Sequence, residues 1–253
     1  VWLIRSIGWE KRFAYGRGWL LSDWRASWSL GSWLLAGNVI GIVQAYALHW
    51  LLAVLLDVEA TGAFAAIATL AGMANPLVIG LGNFLMPAIA HAYAAQGAEG
   101  IWRLALRATG WLAAALVVIC LLAAAAGGQA LTLLYGARFG GHSAAFTLLV
   151  VGAAAAALDT AAEHALRTLN KTRSVFIANL LALLTTLALA AWLVPRHGVI
   201  GAAGSMLAGN VMGSIARWSV FCRVLDSRLP IAGGSAIHDF ASNLQSGDGG
   251  PCE

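Results

Sequence analysis

The residues best placed to do chemistry lie together in one apolar stretch. Asp159 and Glu163 are four residues apart, which puts both carboxylates on one helix face. His164 follows Glu163 directly, and Arg167 lies four residues beyond it. A charge at the centre of a membrane helix costs about 2.5–3.5 kcal/mol on insertion scales, so such groups face a partner or a water-filled cavity. Two arrangements meet that cost. In one, Glu163 and Arg167 form a helix-end ion pair and a neighbouring helix holds Asp159. In the other, Asp159, Glu163 and His164 face a central cavity and respond to a cation or a proton.

A second polar set lies earlier, at Asn38, Gln44 and His49. Asn38 and Gln44 are six residues apart and fall on different faces. Asn38 and His49 are eleven apart, three turns, and align as candidate cavity-lining groups or as partners for interhelical hydrogen bonds. Asn75 and Asn83, eight apart, roughly share a face, and Asn75 also suits a cap before Pro76. None of these sets forms a nucleophile–base constellation, a glycine-rich phosphate loop or a metal motif. The cysteines Cys120, Cys222 and Cys252 have no metal-ligand spacing. The pattern is that of a non-enzyme with no cofactor and no metal.

The elements that must position these groups are membrane helices. The chain is 60% hydrophobic and 10% charged, with a mean hydropathy of +0.78. A soluble domain carries about 25% charged residues, so this surplus of apolar surface needs a bilayer. The apolar runs predict an all-α integral membrane protein of six spans, at about 28–56, 62–90, 108–126, 143–166, 174–194 and 199–216. Kinks are expected at Asn75-Pro76 and at Pro87, since proline removes an amide donor. Residues 98–107 read as an amphipathic surface helix. Gly127-Gly128 read as the end of the third span, and 131–141 as an interfacial segment.

Basic residues set the orientation. Arg5, Lys11, Arg12, Arg17, Arg25, Arg103, Arg107, Arg167, Lys171, Arg173, Arg217, Arg223 and Arg228, thirteen in all, fall on one side, against Arg138 and Arg196 on the other. The positive-inside rule places the thirteen, and both termini, in the cytoplasm of a multi-pass inner-membrane protein. The net charge of +4 then reflects topology and anionic lipid, not nucleic acid. Three regions follow. Residues 1–27 form a Trp/Arg-rich cytoplasmic interfacial segment, residues 28–225 a transmembrane lobe, and residues 226–253 a disordered cytoplasmic tail. Trp2, Trp9, Trp19, Trp24, Trp28 and Trp33, with Arg12, Phe13, Tyr15 and Arg17, suit the headgroup layer or a docked partner. Gly209 and Gly213 form a GxxxG pair, which suits close packing within the bundle or a homodimer seam.

Several stretches resemble the carboxy-terminal half of the O-antigen and polysaccharide flippases, which belong with the multidrug and oligosaccharidyl-lipid exporters. WSLGSWLLAGNVIGIVQAYALHWLLAVLLDVEATGAFAAI is similar to that family's long helix, acidic loop and restart, here Gly62-Ala63-Phe64. NFLMPAIAHAYAAQG, LLYGARFGGHSAAFTLLVVG, ALRTLNKTRSVFIANLL and LVPRHGVIGAAGSMLAG resemble its later helices and connectors, with the hinge Pro-x-x-Gly-Val-x-Gly-Ala-Ala at 195–203. The likeness covers roughly 28–225. It implies one lobe of a two-lobed exporter-type fold that moves a polyprenyl-linked glycan across the membrane with a second lobe or a second copy. Other expectations are a non-transporting scaffold for glycan-assembly enzymes and a cation-coupled small-molecule antiporter using Asp159 or Glu163. The chain begins with Val1 rather than Met, as a piece of a longer protein would.

Overall fold

The computed structural model describes residues 17–227, and no strand occurs among them. Six helices follow one another: α1 (Arg17–Leu55), α2 (Val58–Ala71), α3 (Asn75–Tyr135), α4 (Ser143–Leu158), α5 (Thr160–Thr168) and α6 (Thr172–Asp226), with short 3₁₀ turns at Gly72–Ala74 and Ala137–His142. Four stretches are long and apolar enough to cross a membrane: Gly31–Leu55, Val78–Tyr135, Ala137–Thr168 and Thr172–Asp226. Large apolar side chains project outward from them, such as Trp50, Val54 and Leu133. In lipid such a surface is satisfied, as in water it is not.

α3 reaches from the second predicted span into the third, α6 covers the fifth and sixth, and each is interrupted by one non-helical position, a glycine. Both helices turn back on themselves at that glycine. Gly97 has φ 63° and ψ −143°, and Gly198 has φ 56° and ψ −130°, a conformation that L side chains avoid. Three residues later the backbone of each returns against itself. A Cβ on Gly100 would lie 2.6 Å from the Ala92 carbonyl oxygen, and one on Gly201 would meet the Leu193 carbonyl. Eight residues of unbroken helix would separate those groups by about 12 Å. The chain therefore reverses, and the same Gly-x-x-Gly device makes both hairpins.

The turns gather at two ends. Arg138 donates to Glu59 at 3.2 Å, and Leu56 Cδ1 would lie 3.9 Å from a Cβ on Gly198, so the turns near 56–59, 136–142 and 198 share one end. At the other, Ile101, Leu166, Leu169, Val175, Phe221 and Leu225 are buried in one cluster. Asp57 starts α2 by accepting the Ala60 amide at 2.6 Å.

Other local expectations resolve differently. The break before Pro76 is present as the 3₁₀ turn Gly72–Ala74. Pro87 stays inside α3, whose one non-helical position is Gly97. Gly127-Gly128 do not end the third span, because α3 continues to Tyr135. Their role is close approach: a Cβ on Gly127 would lie 2.6 Å from the Phe146 ring. Leu131 is correspondingly fully buried. α1 passes through residues 27 and 28 without interruption, carrying Trp24 stacked on Trp28 at 5.8 Å. Trp2, Trp9, Arg12, Phe13 and Tyr15 lie outside the described residues, as does the predicted tail beyond Ser227.

Candidate functional site

Asp159 sits at the junction of α4 and α5. Its backbone (φ −93°, ψ −1°) departs slightly from the helix, yet its carbonyl still accepts the Glu163 amide at 2.9 Å. The residue is 1% exposed. Arg217 on α6 donates Nε to Asp159 Oδ2 at 2.6 Å and brings Nη2 to 2.5 Å from the same oxygen. Ser214, one turn earlier, has its hydroxyl 2.9 Å from Oδ2 and 2.8 Å from the Ala155 carbonyl. The other guanidinium nitrogen of Arg217 donates to Asn179 Oδ1. Asn179 in turn donates to the Gly37 carbonyl of α1 at 3.3 Å. One polar layer thus ties α1, both arms of α6 and the α4–α5 junction.

A second layer repeats the first. Gln44 donates to Thr186 Oγ1 at 3.3 Å and to Asn210 Oδ1 at 3.2 Å. Asn210 donates to the Gly152 carbonyl at 3.0 Å, and Thr186 to that of Ala182 at 2.8 Å. Each residue of this layer lies seven positions from its counterpart: Gly37 and Gln44, Asn179 and Thr186, Asp159 and Gly152, Arg217 and Asn210. Seven residues are two helical turns, a rise of about 10.5 Å. Two parallel helical segments and two antiparallel ones therefore keep one register over that distance.

Beside the second layer is a cavity of about 310 Å³, lined by Gly41, Gln44, Ala45, Asn75, Met206 and Asn210 among others. Its polar groups are uncharged amides. A second, apolar cavity of about 390 Å³ adjoins it through Asn75, Val78 and Ala153 and reaches Leu122 and Phe146. The break at Gly72–Ala74 lies where the two meet, since Gly72 lines one and Met73 the other.

The predicted site residues do not converge. Asp159, Glu163, His164, Asn38 and His49 line neither cavity. Glu163 and Arg167 form the ion pair of the first arrangement, with side chains about a quarter exposed. Asp159 is held by a neighbouring helix, as in that arrangement. His164 packs against Gly82, where a Cβ would lie 2.8 Å from Nε2, and its buried Nδ1 has no hydrogen-bond partner among the described residues. His49 Nδ1 stands 3.0 Å from the Ala45 carbonyl, and its ring meets Phe64 edge-on at 5.1 Å. Asn38 is exposed on α1. No group of three His, Cys, Asp or Glu side chains suited to a metal occurs among the described residues.

Sequence reasoning missed Arg217, Asn179, Thr186, Asn210 and Ser214. Arg217 read as a cytoplasmic charge just past the sixth span. The helix in fact continues to Asp226, and Arg217 is 7% exposed. The signal was available as polar or small residues seven apart in four segments. No family model matches the chain, no curated protein matches it and no solved structure matches it.

Proposed function

We propose that the chain is one lobe of an inner-membrane exporter that flips a lipid-linked oligosaccharide. The observation that carries this is the pair of adjoining cavities. Gln44, Asn75 and Asn210 offer uncharged hydrogen-bonding groups to sugar hydroxyls, while the neighbouring apolar cavity suits a prenyl tail. An amphiphile with a polar head and an apolar tail needs both compartments side by side. The resemblance to the polysaccharide flippases supports the same substrate class. The antiporter alternative has less support, because Asp159 is committed to Arg217 and faces neither cavity. The scaffold alternative rests on the Trp-rich segment, much of which lies outside the described residues.

In this proposal the chain crosses six times, with each hairpin of α3 and α6 contributing two crossings. The second crossing combines α2 with the first arm of α3. Support comes from the turns, which alternate between the two ends along the chain. The end with Arg103, Arg167, Lys171, Arg173 and Arg223 is assigned to the cytoplasm. Reporter fusions after Arg138 and after Arg173 are expected to report opposite sides. The same side for both would overturn the topology.

Deleting the gene in its host is expected to strand the lipid-linked oligosaccharide on the cytoplasmic leaflet, where a reagent added from outside cannot label it. Undiminished surface glycan in the deletion strain would rule out the flippase role.

A further inference from the structure

The two arms of α3 meet at the Gly97 turn, and further along them lies a groove of about 520 Å³ between the two. Val78, Phe84, Leu104, Trp111 and Ile119 line it, and Arg107 is the one charged residue of its wall. From Arg107 to Ile119 the groove follows one helical arm for about 18 Å.

Arg107 differs from its neighbours. Arg103, one turn before it, is paired with Glu99, and Arg167 with Glu163. Among the described residues Arg107 has no ion-pair partner, and it is exposed. Trp111, one turn further into the groove, is 81% exposed, the placement of an indole in the headgroup layer. An apolar trough that ends in an unpaired guanidinium and an indole has the chemistry of a phospholipid: acyl chain along the trough, phosphate at the cation. A zwitterionic lipid supplies its own ammonium to its phosphate, so a net anionic headgroup gains more from Arg107.

We propose that the groove between the two arms of α3 is a binding site for one acyl chain of an anionic glycerophospholipid, with its phosphate on Arg107. The site goes beyond the flippase reading and does not depend on it. It opens on the outside of the bundle at Phe84 and Trp111 and shares Val78, Leu116 and Ile119 with the apolar cavity above, from which Arg107 is absent.

The test is native mass spectrometry of the detergent-purified chain titrated with phosphatidylglycerol, phosphatidylcholine or a polyprenyl phosphate. Phosphatidylglycerol is expected to bind about fivefold more than phosphatidylcholine. Arg107→Gln should bring the two to parity, and Arg103→Gln should leave the preference in place. Equal binding of the two phospholipids by the unmodified chain would overturn the site, as would an unchanged preference in Arg107→Gln. Binding of the polyprenyl phosphate alone would overturn the choice of a glycerophospholipid. Independently of any variant, phosphatidylglycerol with a photoactivatable acyl chain should label residues 78–85 and 104–119. Label spread evenly over the chain would count against the proposal.

Discussion

Arg217→Leu is expected to cost the fold about 3–5 kcal/mol, the penalty for leaving a buried charge without its partner. Asp159 is 1% exposed, and two of its hydrogen-bond donors come from Arg217 and Ser214 on one arm of α6. Without the guanidinium the carboxylate keeps only the Ser214 hydroxyl, which the Ala155 carbonyl also claims. Asn179 loses its donor as well, so the tie from α6 to α1 weakens with the tie to α4. The magnitude rests on desolvation rather than on attraction, and that distinction is measurable. Asp159→Leu combined with Arg217→Leu removes both charges and is expected to recover most of the loss, because a buried ion pair is near break-even against apolar residues of similar volume. Reversible unfolding of the single and double variants in lipid bicelles gives the comparison. A single Arg217→Leu variant as stable as the parent would show that the pair is solvated and the layer is not a structural unit. A double variant no better than the single would place the cost in packing.

How far the sequence reveals this arrangement depends on what kind of signal each feature leaves. Apolar runs report lipid exposure, and that signal is strong here. The all-α membrane character and the position of most helices follow from it. Helix ends are weaker, because glycine has two uses that look alike in sequence. Gly127 and Gly128 allow Phe146 and Ser143 to approach an unbroken helix, whereas Gly97 and Gly198 supply a backbone conformation that turns the chain. Only the hinge at 195–203 carries a second cue, Pro195, and its neighbourhood is read correctly. The polar layers were hidden for another reason. Asp159 is conspicuous as a charge in an apolar span, but its partner is 58 residues away in sequence and was assigned to the headgroup region with other arginines. Asn38 drew attention as a polar residue, yet the residue of α1 that joins the first layer is Gly37, through its backbone carbonyl. A backbone acceptor leaves no side-chain signature. The seven-residue spacing of Asn179 and Thr186 and of Asn210 and Arg217 was the readable trace of the layers.

Gly209→Ala is expected to cost about 1–3 kcal/mol by overpacking the seam between the two arms of α6. A Cβ there would overlap the Thr186 hydroxyl and lie 2.7 Å from the Ala182 carbonyl oxygen. Thr186 is fully buried, and its hydroxyl oxygen already accepts from Gln44 while its proton goes to Ala182. It has nowhere to rotate without breaking the second polar layer, so the two arms must separate instead. Other glycines of the same arm supply the scale. A Cβ on Gly213 would meet the Ala182 methyl at 3.1 Å and the flexible end of Arg217 at 3.2 Å, and one on Gly204 would meet nothing within 4 Å. Gly204→Ala should therefore stabilise by roughly 0.5–1 kcal/mol through helix propensity alone. Gly213→Ala should fall between the two. Adding Thr186→Ala to Gly209→Ala removes one of the two clashes and leaves the carbonyl, so it should restore part of the loss. The shortfall from additivity measures how far the hairpin seam and the Gln44 layer act as one unit. Unfolding of these four variants and of Thr186→Ala alone, under the same conditions, decides the matter. If Gly209→Ala proved as stable as Gly204→Ala, the arms of α6 would not be packed at this distance, and the GxxxG pair would be free for a contact outside the lobe.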